Sequence, residues 1–196
     1  MKMKIFLPSL AVMAMGSSPA FAHLDPLQHG SFLAGFTHPL SGADHMLAMV
    51  AVGLWAATLG RRAVLALPAA FVSVMVLGFA ASFAGIDLPF VEPMILASVV
   101  VVGLMVALAV PVPVYMGAAL VGIFAFFHGH AHGGEMGEAT TIGYAAGFSL
   151  ATAFLHAAGI TAAASLARMR ETLNDGLITR IAGGATVIAG LWLIGS

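Results

Sequence analysis

The stretch that decides how this chain is organised is His38-Pro39-Leu40-Ser41-Gly42-Ala43-Asp44-His45, which directly precedes the uncharged segment Met46 to Gly60. Its carboxylate borders a hydrocarbon-like segment, where a charge is costly unless a cation compensates it. Imidazole and carboxylate together form a donor set that suits divalent nickel, cobalt, zinc or copper. The stretch therefore predicts a metal-binding segment at the mouth of a membrane-spanning helix.

Pro39 and Gly42 predict the local geometry of this stretch. Proline is favoured in the first turn of a helix and disfavours helical backbone in the residue before it, so a helix beginning at Pro39 after an extended His38 is expected. If that helix runs on, His38 and His45 stand about two turns apart on one face. Gly42 lies between them and would let another backbone or an ion approach closely.

The composition is that of a polytopic membrane protein. Of the 196 residues, 61% are hydrophobic and only 8% are charged, whereas a soluble domain carries about 25% charged residues. The expected fold class is an all-α membrane protein of about six spans, embedded in a lipid bilayer. The net charge of -1 gives no support for a nucleic-acid partner. Because the chain has no cysteine, any metal must be held by nitrogen, oxygen or thioether atoms.

Residues 1–22 have the pattern of a cleaved secretory signal peptide. Lys2 and Lys4 supply the positive start, Ile5 to Gly16 the apolar core, and Ala20-Phe21-Ala22 the cleavage site. Cleavage would leave residues 23–196 as a single six-helix transmembrane domain that begins with His23. The free amine and the imidazole of His23 could chelate a metal, although a solvated tail is the favoured interpretation.

The arginines predict the orientation of the six expected spans. Those spans are residues 39–59, 63–84, 93–111, 114–127 continuing into the next histidines, 139–167, and a last span that ends at residue 196. The positive residues that remain after cleavage fall on one side of them: Arg61, Arg62, Arg168, Arg170 and Arg180. By the positive-inside rule that side is the cytoplasm. We therefore expect an inner-membrane protein whose mature N-terminus and C-terminus are both periplasmic.

A second group of candidate ligands closes the fourth span. His128, His132 and Glu135 follow the spacing i, i+4, i+7, which places them on one face of a helix, while His130 points elsewhere. Together with the first stretch they would give a site of up to six ligands between the first and fourth spans. The alternative is a flexible external loop that binds metal loosely, as histidine-rich tracts do. The presence of the first stretch favours the shared site.

Two further polar residues have two interpretations each, and a third is an accessory candidate. Glu92, just before Pro93, fits either a helix cap or an acidic entrance that gathers cations. His130 is an accessory candidate beside Glu92 and His23. His156, deep in the fifth span, could be an exit ligand, but a core histidine bonded to a hydroxyl such as that of Thr152 is the favoured interpretation.

The two stretches resemble the signatures of the HupE/UreJ family of nickel/cobalt permeases. HPLSGADH at residues 38–45 matches HPxxGxDH, and FHGHAHGGE at residues 127–135 matches FHGxAHGxE. The resemblance implies a bacterial inner-membrane importer that supplies nickel or cobalt for hydrogenase or urease maturation. Carried over at the matching positions, the transport-critical residues would be His38, Asp44, His45, His132 and Glu135. Glu92 resembles a third acidic position of the family.

The sequence thus favours a six-span permease that takes up Ni²⁺, or Co²⁺, as its substrate and holds no prosthetic group. No nucleotide-binding motif occurs, so ATP would not drive transport within this chain. A homo-oligomer is compatible with the sequence. The rival interpretation is an intramembrane zinc-dependent hydrolase, with zinc on three histidines and Asp44 as base. A third, a metal sensor or storage protein, is disfavoured because holding an ion does not need six spans.

Overall fold

A computed structural model describes residues 31–168 and 176–196, and this part of the chain is helical without strands. The signal peptide predicted at residues 1–22, His23 and Arg170 lie outside the described residues. The helices, in chain order, are α1 Ser31–Ser41, α2 Ala43–Leu59, α3 Arg61–Phe83, α4 Val91–Ala107, α5 Val114–Gly134, α6 Thr141–Arg168 and α7 Leu177–Gly195. The predicted all-α membrane fold class is confirmed.

Helix length and hydropathy identify the membrane spans. Among the described residues, 4 helices are long and apolar enough to cross a membrane: Arg61–Phe83, Val114–Gly134, Thr141–Leu166 and Leu177–Gly195. The pair α1 and α2 passes the same test when taken together, although its halves meet at 82°. The third expected span, residues 93–111, corresponds to α4, a shorter apolar helix of 17 residues. The count of six spans therefore stays a prediction.

The expectation that a helix begins at Pro39 after an extended His38 is wrong. Both residues lie in the last turn of α1, which ends at Ser41, and the chain then bends sharply before α2. The local preference of the proline is overridden by tertiary packing, because α1 lies directly against α6. His38 and His45 consequently belong to two helices that meet at an angle, not to one face of a single helix.

Glycines set the closeness of the helix pairs. A Cβ at Gly35 of α1 would collide with the backbone of Tyr144 on α6, and one at Gly147 would collide with the carbonyl of Phe32. Gly53 of α2 lies equally close to the carbonyl of His156, and Gly78 of α3 to the carbonyl of Phe126 on α5. Helix association in lipid depends on such close packing, because burying apolar surface gains little there. The GxxxG spacing at residues 143–147 is thus used for packing against α1.

The described helices place Arg61, Arg62 and Arg180 at the end of the bundle opposite the two histidine motifs. Arg61 and Thr179 line one pocket with the last turns of α2 and the second half of α6. At the same end, Arg180 Nε donates to the carbonyl of Ala107, the last residue of α4, at 2.8 Å. A cation there opposes the partial negative charge of the helix C-terminus. This arrangement agrees with the positive-inside expectation, and the orientation in the membrane remains a prediction.

Replacing Gly78 by alanine is expected to destabilise the protein, because the methyl group would meet the backbone carbonyl of Phe126. Overpacking of this kind costs about 1–3 kcal/mol. Gly184 in α7 is a matched control, since a Cβ there meets nothing within 4 Å, and alanine favours a helix over glycine by about 1 kcal/mol. Thermal unfolding in detergent measures both variants. A Gly78→Ala melting temperature at or above that of the wild type would contradict the close contact.

Candidate metal site between the bent helix pair and helix 5

The bend between α1 and α2 is built from local hydrogen bonds around Gly42. Ser41 Oγ donates to the carbonyl of His38 at 2.6 Å and so satisfies a carbonyl at the end of α1. Gly42 is extended, with φ -96° and ψ 121°, and its carbonyl accepts the amide of Met46 at 3.0 Å to start α2. A Cβ at Gly42 would stand 2.7 Å from Asp44 Oδ1. The group that approaches Gly42 closely is therefore the carboxylate of Asp44, two residues along the chain.

Asp44 orients the imidazole of His45. Its Oδ1 accepts the backbone amide of His45 at 2.8 Å and lies 3.1 Å from the Nδ1 of the same residue. A carboxylate at Nδ1 fixes the proton on that nitrogen and leaves the Nε2 lone pair available as a ligand. His45 Nε2 is buried and has no hydrogen-bonding partner among the described residues. His45 is therefore held with a free donor atom directed into the protein.

Helix α5 contributes two fully buried histidines one turn apart. His128 Nε2 lies 3.1 Å from Ser98 Oγ of α4, and that hydroxyl already donates to the carbonyl of Ile95 at 2.5 Å. Because a hydroxyl has a single proton, His128 must donate from Nε2, which leaves its buried Nδ1 as a lone pair. His132 stacks on Phe148 at 4.7 Å, and both of its ring nitrogens are buried without a partner in the described part of the chain.

Glu135 closes the site from the C-terminal end of α5. Its Oε2 accepts a hydrogen bond from His38 Nε2 at 2.7 Å, across the gap between α5 and α1. This hydrogen bond lowers the pKa of Glu135 below its usual value, so the carboxylate form is favoured. Ligand atoms of His38, His132 and Glu135 all lie within 4.8 Å of one another. Three metal-ligating side chains from two helices are therefore close enough to surround one ion.

The four imidazoles form one continuous group. Ring centroids are 5.1 Å apart for His38 and His132, 5.1 Å for His45 and His132, and 4.8 Å for His45 and His128. We call the following six residues the histidine cluster: His38, Asp44, His45, His128, His132 and Glu135. An adjoining pocket of about 200 Å³ is lined by members of the cluster together with Ser41, Gly42 and Glu92.

The remaining candidates are placed differently. Glu92 lies in the first turn of α4, not before it, and its exposed side chain lines the pocket of the cluster, which favours the acidic-entrance interpretation. His130 Nε2 donates instead to the carbonyl of Ile86 at 2.7 Å, and we leave it out of the proposed site. The expected bond between His156 and Thr152 is wrong, because the Thr152 hydroxyl points to Met75 Sδ at 3.7 Å.

Three residues around the cluster were not found from the sequence. Ser98 bonds to His128 from α4, while Phe148 stacks on His132 from α6. Tyr144, also on α6, places its ring 5.8 Å from that of His38. They come from helices outside both motifs, and no spacing in the sequence connects a serine or an aromatic residue to a distant histidine.

The chain matches a known protein family and a named protein over nearly its full length. The sequence profile of the family described as HupE / UreJ protein matches residues 10–193. The chain is 46% identical over 197 residues to the protein named Protein HupE from Rhizobium leguminosarum bv. viciae, covering 99% of each chain. No solved structure matches the chain at a significant level.

If the two motifs hold one ion, titration of the purified protein with Ni²⁺ is expected to give one tight binding event. His45→Ala and His132→Ala should each weaken that same event, by about tenfold or more, because each removes a donor from it. Residues that act as one unit give non-additive losses. The Ni²⁺ affinity of the double variant should therefore fall below that of the wild type by less than the product of the two single losses.

The matched control is His130→Gln, which removes a histidine outside the cluster and should bind as the wild type does. Two independent sites would behave differently. The wild type would then bind two ions, and each single variant would lose one of them while keeping the other unchanged.

Proposed function

We propose that this chain is a secondary importer that carries Ni²⁺, or Co²⁺, from the periplasm to the cytoplasm. The chain belongs to the HupE/UreJ family. The members of this family are membrane permeases rather than enzymes. The intramembrane hydrolase that the sequence left open as an alternative is therefore set aside.

The observation that carries this proposal is the approach of His38, His132 and Glu135 to within 4.8 Å of one another. These residues come from α1 and the end of α5. His38 and Glu135 line the pocket of about 200 Å³ that Glu92 also lines. Imidazole nitrogens and carboxylate oxygens suit both divalent nickel and divalent cobalt. The preference for nickel follows from the family resemblance and not from the ligand set.

The order of the groups suggests how the ion is received. Three carboxylates, from Asp44, Glu92 and Glu135, lie at the pocket and would raise the local concentration of cations. Asp44 and Glu135 together offset the charge of a divalent ion. The imidazoles of His128 and His132 lie deeper and are fully buried. An ion that enters the pocket would exchange water for nitrogen ligands while it passes from carboxylates to imidazoles.

Transport would be driven by the gradient of the ion or of protons, because the sequence has no nucleotide-binding motif. Metal competes with protons for imidazole and carboxylate atoms, so binding is expected to weaken at low pH. In the proposed orientation the histidine cluster faces the periplasm, both ends of the mature chain are periplasmic, and the arginines face the cytoplasm. The imported metal would serve hydrogenase or urease maturation.

Replacing Asp44 by asparagine is expected to lower the initial rate of Ni²⁺ uptake by about tenfold or more, with the protein still inserted in the membrane. The amide oxygen can still accept both hydrogen bonds from His45, so the bend and the orientation of the ring are retained. The change removes only the negative charge that offsets the ion. Uptake of labelled nickel by intact cells, at matched amounts of protein, measures the effect.

The control is Asp87→Asn, which removes an exposed carboxylate from the turn between α3 and α4 that does not line the pocket of the cluster. It should leave uptake unchanged. Normal uptake by a well-inserted Asp44→Asn protein would contradict a role for this carboxylate in handling the ion. Loss of the Asp44→Asn protein from the membrane would instead indicate a structural role.

A further inference from the structure

His156 is a buried histidine that the histidine cluster does not include. His156 is 1% exposed, and neither ring nitrogen has a hydrogen-bonding partner among the described residues. The nearby Thr152 hydroxyl bonds to Met75 Sδ instead. Leaving a buried polar group unpartnered costs about 1–3 kcal/mol. A leucine would fill such a position without that cost, so packing alone does not explain an imidazole here.

The position of His156 continues the line of imidazoles into the bundle. The ring of Phe71 on α3 lies 5.5 Å from that of His128 and 5.0 Å, edge-on, from that of His156. One phenyl ring therefore separates the deepest histidine of the cluster from His156. At 1.5 Å rise per residue, His128 lies roughly 9 Å along α5 from the C-terminal end of that helix, whereas His156 lies roughly 22 Å along α6 from Thr141. His156 is therefore the deeper of the two.

A second donor lies on the same interface between α3 and α6. Thr152 precedes His156 by one turn of α6, and Met75 follows Phe71 by one turn of α3. The Thr152 hydroxyl and Met75 Sδ are 3.7 Å apart, and both residues are fully buried. The interface thus presents a thioether and a hydroxyl on the helix faces that carry Phe71 and His156. Imidazole and thioether are donors that late divalent transition metals accept.

We propose that His156 is an inner binding station for the transported ion, reached from His128 past Phe71, with the Met75 thioether as its accompanying ligand. This proposal rests on the proposed import function. The three carboxylates Asp44, Glu92 and Glu135 all lie at the outer pocket, so the inner station consists of neutral donors. It binds the ion more weakly than the histidine cluster does, which suits a site that must release its ion inward, because conduction requires binding weak enough for the ion to leave.

The test compares uptake with binding in His156→Leu. Leucine fills much of the space of the imidazole but offers no ligand atom, and we expect the initial rate of uptake at limiting Ni²⁺ to fall about tenfold or more. Tight binding of Ni²⁺ by the purified variant should stay at the wild-type value, because the histidine cluster is intact. Phe154→Leu is the matched control on the same helix, since Phe154 is 58% exposed on the outer surface, and it should transport as the wild type does.

A packing role predicts the opposite result. Leucine would then remove two unpartnered nitrogens, and uptake would be unchanged with equal or higher thermal stability, which would overturn the proposal. If His156→Leu fails to accumulate, His156→Gln and Met75→Leu test the same proposal. Both variants are expected to slow uptake while tight binding is retained. Wild-type rates of uptake in both would also overturn the proposal. Absence of uptake by the wild type itself would contradict the import function instead.

Discussion

The contact between His38 and Glu135 is the interaction on which the proposed site depends. It joins the last turn of α1 to the end of α5 over a distance of 2.7 Å, and it exists only because the chain bends by 82° between α1 and α2. A straight helix through this segment would keep His38 and His45 on one continuous axis. The bend instead turns the two rings to within 6.3 Å of one another, with His132 between α1 and α2 as a shared neighbour.

The histidine cluster is an arrangement that is costly for folding and suited to binding. His45 Nε2, His128 Nδ1 and both nitrogens of His132 are buried without partners among the described residues. Each such atom costs about 1–3 kcal/mol relative to a satisfied one. Close glycine-mediated packing of α1 on α6, α2 on α6 and α3 on α5 offsets that cost and holds the helices rigidly. An ion that accepts these lone pairs would stabilise the folded protein by binding to it.

Much of the architecture and of the site could be predicted from the sequence. Lipid requires helical backbone in a spanning segment, so the uncharged segments predict the helices. The helical period then places His128, His132 and Glu135 on one face. The family resemblance of the two motifs is likewise confirmed. The bend at Gly42 does not follow from the sequence, because Pro39 by itself favours a helix that begins there. Packing of α1 on α6 keeps His38 and Pro39 helical. The local preference of a proline takes no account of such contacts with a distant helix. The same reason hid Ser98, Phe148 and the surroundings of His156.

In the proposed site, the bent helix pair and the end of α5 hold a single ion. Diffraction from crystals of the nickel-loaded protein, recorded on both sides of the nickel absorption edge, tests this claim most directly because it locates the metal without reference to activity. One strong anomalous peak is expected within bonding distance of His132 and of at least one residue of the segment His38–His45. A peak at another position, or two separate peaks of equal strength at the two motifs, would contradict it.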